Sequence, residues 1–114
     1  MKRILIIIGI IGLLASCTVQ TPLYSWGKYE SASYTYLKNS DEESTQALID
    51  QYKSIIDEQT GTRNTTPPGI YADYGFLLLQ IGEVDQGRTL LLKEIELYPE
   101  SKVFIDRILK MLDQ

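Results

Sequence analysis

From Lys28 onward the apolar residues recur at intervals of three and four, the period of helices packed through one face. Tyr29, Ala32, Ser33, Tyr36 and Leu37 keep that spacing over 28–38 and predict a first helix ending near Asn39 and Ser40. Ser40 and Asp41 are natural N-caps, and Glu42 and Glu43 follow where the positive end of a helix dipole favours acids. The second helix turns Leu48, Tyr52, Ile55 and Ile56 inward, flanked by Ala47 and Ile49, and stops before Gly61. The third, 69–81, is apolar nearly all round: Tyr71, Tyr74, Gly75, Leu78 and Ile81 on one side, Phe76, Leu77 and Leu79 on the other. Such a helix needs neighbours on both sides, and the second and fourth helices are the expected ones. Gly82 supplies a tight turn into a fourth helix, 84–98, with Val84, Gly87, Leu91 and Ile95 inward, Leu90 and Leu97 beside them, and Pro99 ending it. Ser101 caps a last helix whose apolar face is Phe104, Ile105, Ile108, Leu109 and Leu112. One apolar and one solvated face suit a terminal capping element. The fold class is all-α, about five helices in hairpins with a C-terminal cap.

Two stretches lack this period. Thr18 to Ser25 reads as a polar tether. Thr60 to Thr66 reads as a loop closed by Pro67 and Pro68, which suit a first helical turn, with Thr66 as the cap. It is the only loop that offers a protruding contact.

The N-terminus carries an address rather than a fold. Met1-Lys2-Arg3 precedes an apolar run from Ile4 to Leu14, shorter than the ~20 residues of a spanning helix, and then Leu14-Ala15-Ser16-Cys17. The run reads as a signal peptide. Its end closely resembles the bacterial lipobox, which implies cleavage after Ser16 and acylation of Cys17. The expected organisation is therefore a signal peptide over 1–16, a lipidated cysteine and tether over 17–25, and a helical domain over 26–114. Thr18 stands where similar lipoproteins kept at the inner membrane carry aspartate, which implies the outer membrane, with the domain facing the periplasm. Cys17 is the only cysteine, so no disulfide can staple the domain. Removing Lys2 and Arg3 from the eleven basic residues leaves nine against fifteen acidic, a mature balance of −6. That balance argues against nucleic acid and against electrostatic docking on anionic headgroups. The membrane contact expected is the lipid itself.

The third and fourth helices resemble a tetratricopeptide repeat (TPR), a helix–turn–helix unit of roughly 34 residues. Tyr71 matches the aromatic near the start of its first helix, Tyr74 precedes the small residue Gly75, Leu78 fills the later large position and Gly82 takes the turn. In its second helix Gly87 matches the tightly packed small position, Leu91 the large one after it, and Pro99 closes the unit. Glu94 departs from the pattern, where a second small residue is usual. A coarse echo, Gly27 to Ala32 against Gly82 to Gly87, lies 55 residues apart, which is not one repeat length.

Taken whole, Tyr24-Ser25-Trp26-Gly27-Lys28-Tyr29, Tyr34-Thr35-Tyr36-Leu37-Lys38 and the stretch from Pro67 to Pro99 resemble a family of small uncharacterised bacterial lipoproteins with a TPR-like second half. Genes of that family often lie beside lipoproteins similar to the curli secretion channel. The resemblance implies a part in an outer-membrane assembly.

Catalytic chemistry finds little footing. There is no histidine, the commonest general base and metal ligand near neutral pH. The acid runs Asp41-Glu42-Glu43 and Asp57-Glu58 fall on caps and solvated faces, and no glycine-rich phosphate loop is present. No cofactor and no metal are expected. Tyr24, Trp26 and Tyr34 are less readily assigned to packing and are candidate anchors for a partner. Gln80, Glu83, Arg88 and Glu94 are the polar positions around the hairpin expected to meet one. The function expected is a non-enzymatic, lipid-anchored adaptor or assembly factor for an envelope or secretion complex. The alternatives are a periplasmic enzyme inhibitor acting through Thr60–Thr66 or a wall-active accessory protein, and a subunit that completes its short array by self-association.

Overall fold

The computed structural model describes residues 1–4, 6 and 17–114. The residues Leu14, Ala15 and Ser16 of the expected cleavage motif lie outside the described residues. Beyond the N-terminal segment the chain is all-helical: α1 Tyr29–Asn39, α2 Glu42–Asp57, α3 Ile70–Gln80, α4 Val84–Leu97 and, after a 3-10 turn at Pro99–Ser101, α5 Lys102–Leu112. Among the described residues no helix is long and apolar enough to cross a membrane.

The two candidate caps divide the work between two helices. Ser40 adopts a left-handed conformation and closes α1, its N–H donating to the Tyr36 carbonyl at 2.8 Å. Asp41 opens α2 with a reciprocal capping box: the Ser44 N–H donates to Asp41 Oδ1 at 2.7 Å and the Asp41 N–H to Ser44 Oγ at 3.2 Å.

Two apolar clusters meet on α3. Leu48, Ile49, Tyr52 and Ile55 of α2 pack with Ile70, Tyr74, Leu77 and Leu78, and Tyr29, Ala32 and Tyr36 of α1 close over them. On the far side Leu91 of α4 joins Ile105 and Ile108 of α5, with Ala72 and Leu79 of α3 packed against them. α3 is thus held from both sides, as an all-round apolar helix requires. The burial is not complete around its circumference, because two neighbours leave two edges. Phe76, at 46 % exposure, and Ile81 lie on those edges.

At the crossing of α3 and α4 the two backbones touch through facing glycines. A Cβ added to Gly75 would lie 2.8 Å from the Gly87 carbonyl oxygen, and one added to Gly87 would lie 2.7 Å from that of Gly75. Gly82 makes the connecting turn at φ 92°.

The start of α3 differs from its reading in the sequence. Pro67 and Pro68 precede the helix rather than forming its first turn, Gly69 is the N-cap at φ 92°, and Thr66 provides no cap. The Thr66 carbonyl instead accepts the Tyr98 hydroxyl at 2.6 Å. The cap comes from across the hairpin: Glu94, 2 % exposed, accepts the Gly69 N–H at 2.7 Å and the Ala72 N–H at 3.3 Å. A position expected at the surface is buried because its carboxylate satisfies N–H groups that α3 cannot satisfy itself.

The loop after α2 is also less free than its composition implies. Its Thr62 and Arg63 N–H groups donate to the Pro22 and Leu23 carbonyls at 3.1 Å each, and the Thr60 N–H donates to Ser25 Oγ at 3.0 Å. Gln59 Nε2 donates to the Ser25 carbonyl at 3.1 Å while its Oε1 accepts from the Ser25 N–H and hydroxyl. Gly61 is buried in this clamp, with the place of its missing Cβ only 2.3 Å from the Leu23 carbonyl oxygen. Residues 22–25, expected to belong to the tether, are therefore bonded into the helical body.

Three further apolar residues sit differently from their sequence reading. Leu37 is 74 % exposed, since it lies about a quarter-turn from the Tyr29–Ala32–Tyr36 stripe that meets the core. Phe104 is 63 % exposed on the flank of α5, and Val84 is open at the start of α4.

Candidate functional site

Some of the side chains left open by this packing lie together between α1 and α3. Tyr29, Ser33 and Tyr36 share one face of α1, and Asp73, Phe76 and Gln80 share one face of α3. The two faces meet with a constant offset of 44 positions: the Tyr29 hydroxyl donates to Asp73 Oδ2 at 3.0 Å, and the Tyr36 hydroxyl lies 3.5 Å from Gln80 Oε1. Two pairs, two helical turns apart and at one offset, mean that α1 and α3 run in the same direction. Between them lies an open hollow of about 370 Å³ floored by Leu48 and Tyr52. The 55-residue echo has a different origin: Gly27 and Gly82 are both left-handed residues just ahead of a helix, α1 and α4.

A second hollow, about 360 Å³, lies on the other flank of α3 between Pro68, Ala72, Tyr98 and Phe104. Asp73 lines both. Taken together as one groove across α3, they set Leu37 and Phe76 on one side of Asp73 and Phe104, Glu94 and Glu100 on the other.

The electrostatics centre on that carboxylate. Asp73 is an exposed residue, yet the protein packed around its carboxyl group raises its pKa by desolvation, opposed in part by the hydrogen bond from Tyr29. Burial, then the Asp73 charge, raises Tyr29 in turn. Tyr52 is also raised, mainly by burial. Among the described residues no lysine or arginine lines either hollow. Nor does any group of three His, Cys, Asp or Glu side chains that could hold a metal occur among them.

The candidate residues from the sequence fall into separate places. Tyr24 and Trp26 join a ladder of rings, Tyr24–Trp26–Tyr29–Tyr52–Tyr74, with successive centroids 6.4, 6.0, 5.7 and 5.3 Å apart. Trp26 keeps part of its surface open, whereas Tyr34 is exposed elsewhere on α1, beside Lys28 and Glu30. Tyr74, Leu78 and Leu91 are core residues, Tyr71 is half-buried, and Pro99 begins the 3-10 turn. Of the polar positions expected to meet a partner, Gln80 borders the groove and Glu83 is exposed. Arg88 pairs with Asp113 at 2.7 Å, and Glu94 is the buried cap. Cys17 is an exposed free thiol.

Asp73 has no role in the sequence reading, and Phe76 and Phe104 are read there as packing residues. For Asp73 there was a signal: it is the single charged residue between Gly69 and Ile81. A lone charge in an otherwise apolar helix marks the strip that faces away from the packing. Phe104 carried no such mark, since periodicity alone groups it with Ile105 and Ile108.

A family described as "Domain of unknown function (DUF4810)" matches residues 23–108. The chain belongs to this family. The DUF4810 match begins at Leu23, inside the clamp rather than at α1, and takes in all of α1 to α4 and the part of α5 that reaches the core. No curated protein matches the chain. No solved structure matches it either.

Proposed function

We propose that this chain is an outer-membrane lipoprotein, anchored through acylated Cys17 and facing the periplasm. In this reading it acts as a non-enzymatic, TPR-like adaptor that receives a segment of another envelope protein. One observation carries the adaptor reading: the groove between α1, α3 and α5 leaves Leu37, Phe76 and Phe104 open around Asp73, the carboxylate residue that its two hollows share. Support for the anchor comes from the lipobox-like Leu14-Ala15-Ser16-Cys17 and from the exposure of Cys17 and of Thr18 to Pro22 after it. Stacked hairpins with a close glycine crossing support the TPR likeness. The resemblance to small lipoproteins encoded beside curli-channel-like lipoproteins makes such a channel lipoprotein the first partner to test.

The inhibitor reading has less support. Thr60 to Arg63 are tied to residues 22–25, which leaves little free loop for insertion into an enzyme.

Labelling cells with a palmitate analogue tests the anchor: the wild type takes label and Cys17→Ala does not. A photo-crosslinking residue at position 76 tests the groove, with the same probe at position 34 as a control outside it. A discrete crosslinked envelope protein from position 76 alone supports the adaptor. An unlabelled wild type refutes the anchor, and equal crosslinking from both positions, or none, refutes the groove.

A further inference from the structure

We infer that the groove accepts an extended polypeptide segment in which one lysine or arginine lies between apolar side chains, the cation docking on Asp73. The inference rests on the adaptor reading and names the chemistry of its partner.

The geometry supplies three requirements that an occupant must meet together. Asp73 lines both hollows, so anything filling both runs past this residue. Among the described residues its carboxylate accepts one side-chain hydrogen bond, from Tyr29 to Oδ2, which leaves acceptor capacity on both oxygens. Covering it with an apolar segment would strand a charge, and covering it with an acidic one would add repulsion. A basic side chain resolves both problems, and the rings of Tyr29 and Phe76 in the same hollow give it π faces as well.

On either side an apolar side chain finds a surface, and on the second flank Glu94 and Glu100 join the lining and add to the negative charge. Leu37 and Phe76 border one hollow and Phe104 the other, all open to solvent. The occupant therefore crosses α3, with the cation at the crossing and an apolar side chain to each flank. The mature balance of −6 draws basic segments toward the surface and discourages acidic ones. Competing lysines are absent from the described lining, so Asp73 has no internal counter-ion to displace.

The test uses the full chain in detergent and a library of short randomised peptides. Wild-type protein selects peptides with one lysine or arginine flanked by apolar residues, and replacing that residue by glutamate weakens binding about tenfold or more. Asp73→Asn loses a similar factor, and Asp73→Lys shifts the selected central residue to aspartate or glutamate. Circular dichroism checks that each variant is folded. Should the lysine variant not fold, salt decides: raising it from about 0.05 to 0.5 M weakens peptide binding to wild type by a larger factor than binding to Asp73→Asn, and an equal factor for both counts against the inference.

Selection of neutral or acidic centres, failure to select any sequence, or an unchanged preference in the folded Asp73 variants overturns the inference. The adaptor reading fails separately. A crosslink from position 76 to an envelope segment without a basic residue would sink the cation and leave the adaptor standing, whereas loss of the position-76 crosslink would refute the adaptor whatever the peptide selection shows.

Discussion

Glu94 offers the sharpest test of how this fold is held together. Its side chain is the cap of a helix it does not belong to, accepting the Gly69 N–H at 2.7 Å and the Ala72 N–H at 3.3 Å from a position only 2 % exposed. Truncation in Glu94→Ala removes both bonds, leaves two partly buried donors without a protein partner and opens a small void beside the second hollow. Hydrogen bonds to a charged group contribute about 1.5–3 kcal/mol, and the second bond is long, so it counts for little. The dipole at the α3 terminus adds up to ~1 kcal/mol, while relief of the buried carboxylate's desolvation returns part of the sum. The net expectation is a loss of about 2–3 kcal/mol. For a domain of this size each kcal/mol moves the Tm by roughly 4–8 °C, so the transition should fall by about 10–20 °C. Glu94→Gln keeps one acceptor for the Gly69 N–H but turns an amide NH₂ toward the Ala72 N–H, and should lose about half as much. Urea and thermal unfolding followed by circular dichroism measure both. A Glu94→Ala variant within about 0.5 kcal/mol of wild type, or one less destabilised than Glu94→Gln, would show that α3 does not depend on this cap.

Other expectations follow from the same packing. Gly75→Ala gains up to about 1 kcal/mol of helix propensity but meets the Gly87 carbonyl at 2.8 Å, where backbone cannot yield; overpacking of ~1–3 kcal/mol wins, and a stability equal to or above wild type in urea would contradict the contact. Gln59→Ala unties residues 22–25, so proteolysis near Ser25 should accelerate while the helical signal stays near wild type; unchanged cleavage would mean that the clamp does not depend on this side chain. Titration separates two aspartates of opposite sign. The Asp41 carboxylate is stabilised by its bonds from Ser44, so its contribution is present above its ordinary value of 3.8 and fades as pH falls through the lower folded value. Asp73 is raised, so its ionisation weighs against the fold, and wild type should gain on Asp73→Asn as pH falls from neutral toward 3.8. Urea midpoints for the two proteins across that range check the sign, and a difference that moves the other way would contradict it.

The helices were legible because their evidence is local. The stripe Leu48–Tyr52–Ile55, the glycines at 75, 82 and 87, and the stop at Pro99 each act within a few residues, and helix ends lie within two positions of Ile55, Gly82 and Pro99. What was not legible depends on long-range partners. Glu94 reads as a surface acid until the bare N-terminus of α3 is brought against it. Ser25 and Gln59, 34 positions apart, carry no periodic mark of their pairing. The groove is hidden for the same reason. Phe76 and Leu79 read alike as apolar residues of one helix, and only the positions of the neighbouring helices, α4 and α5 against Leu79, decide that one packs and the other stays open.

The clamp at residues 22–25 also limits how far this protein can act. Thr18 to Thr21 are the four exposed residues between Cys17 and the first clamped carbonyl, that of Pro22. Fully extended, the five steps from Cys17 to Pro22 span about 17 Å. Anything that fixes Cys17 therefore keeps the groove on a short leash. A partner protruding from the same surface meets it at the high local concentration of a tethered pair, while one on a distant surface stays out of range however well it fits.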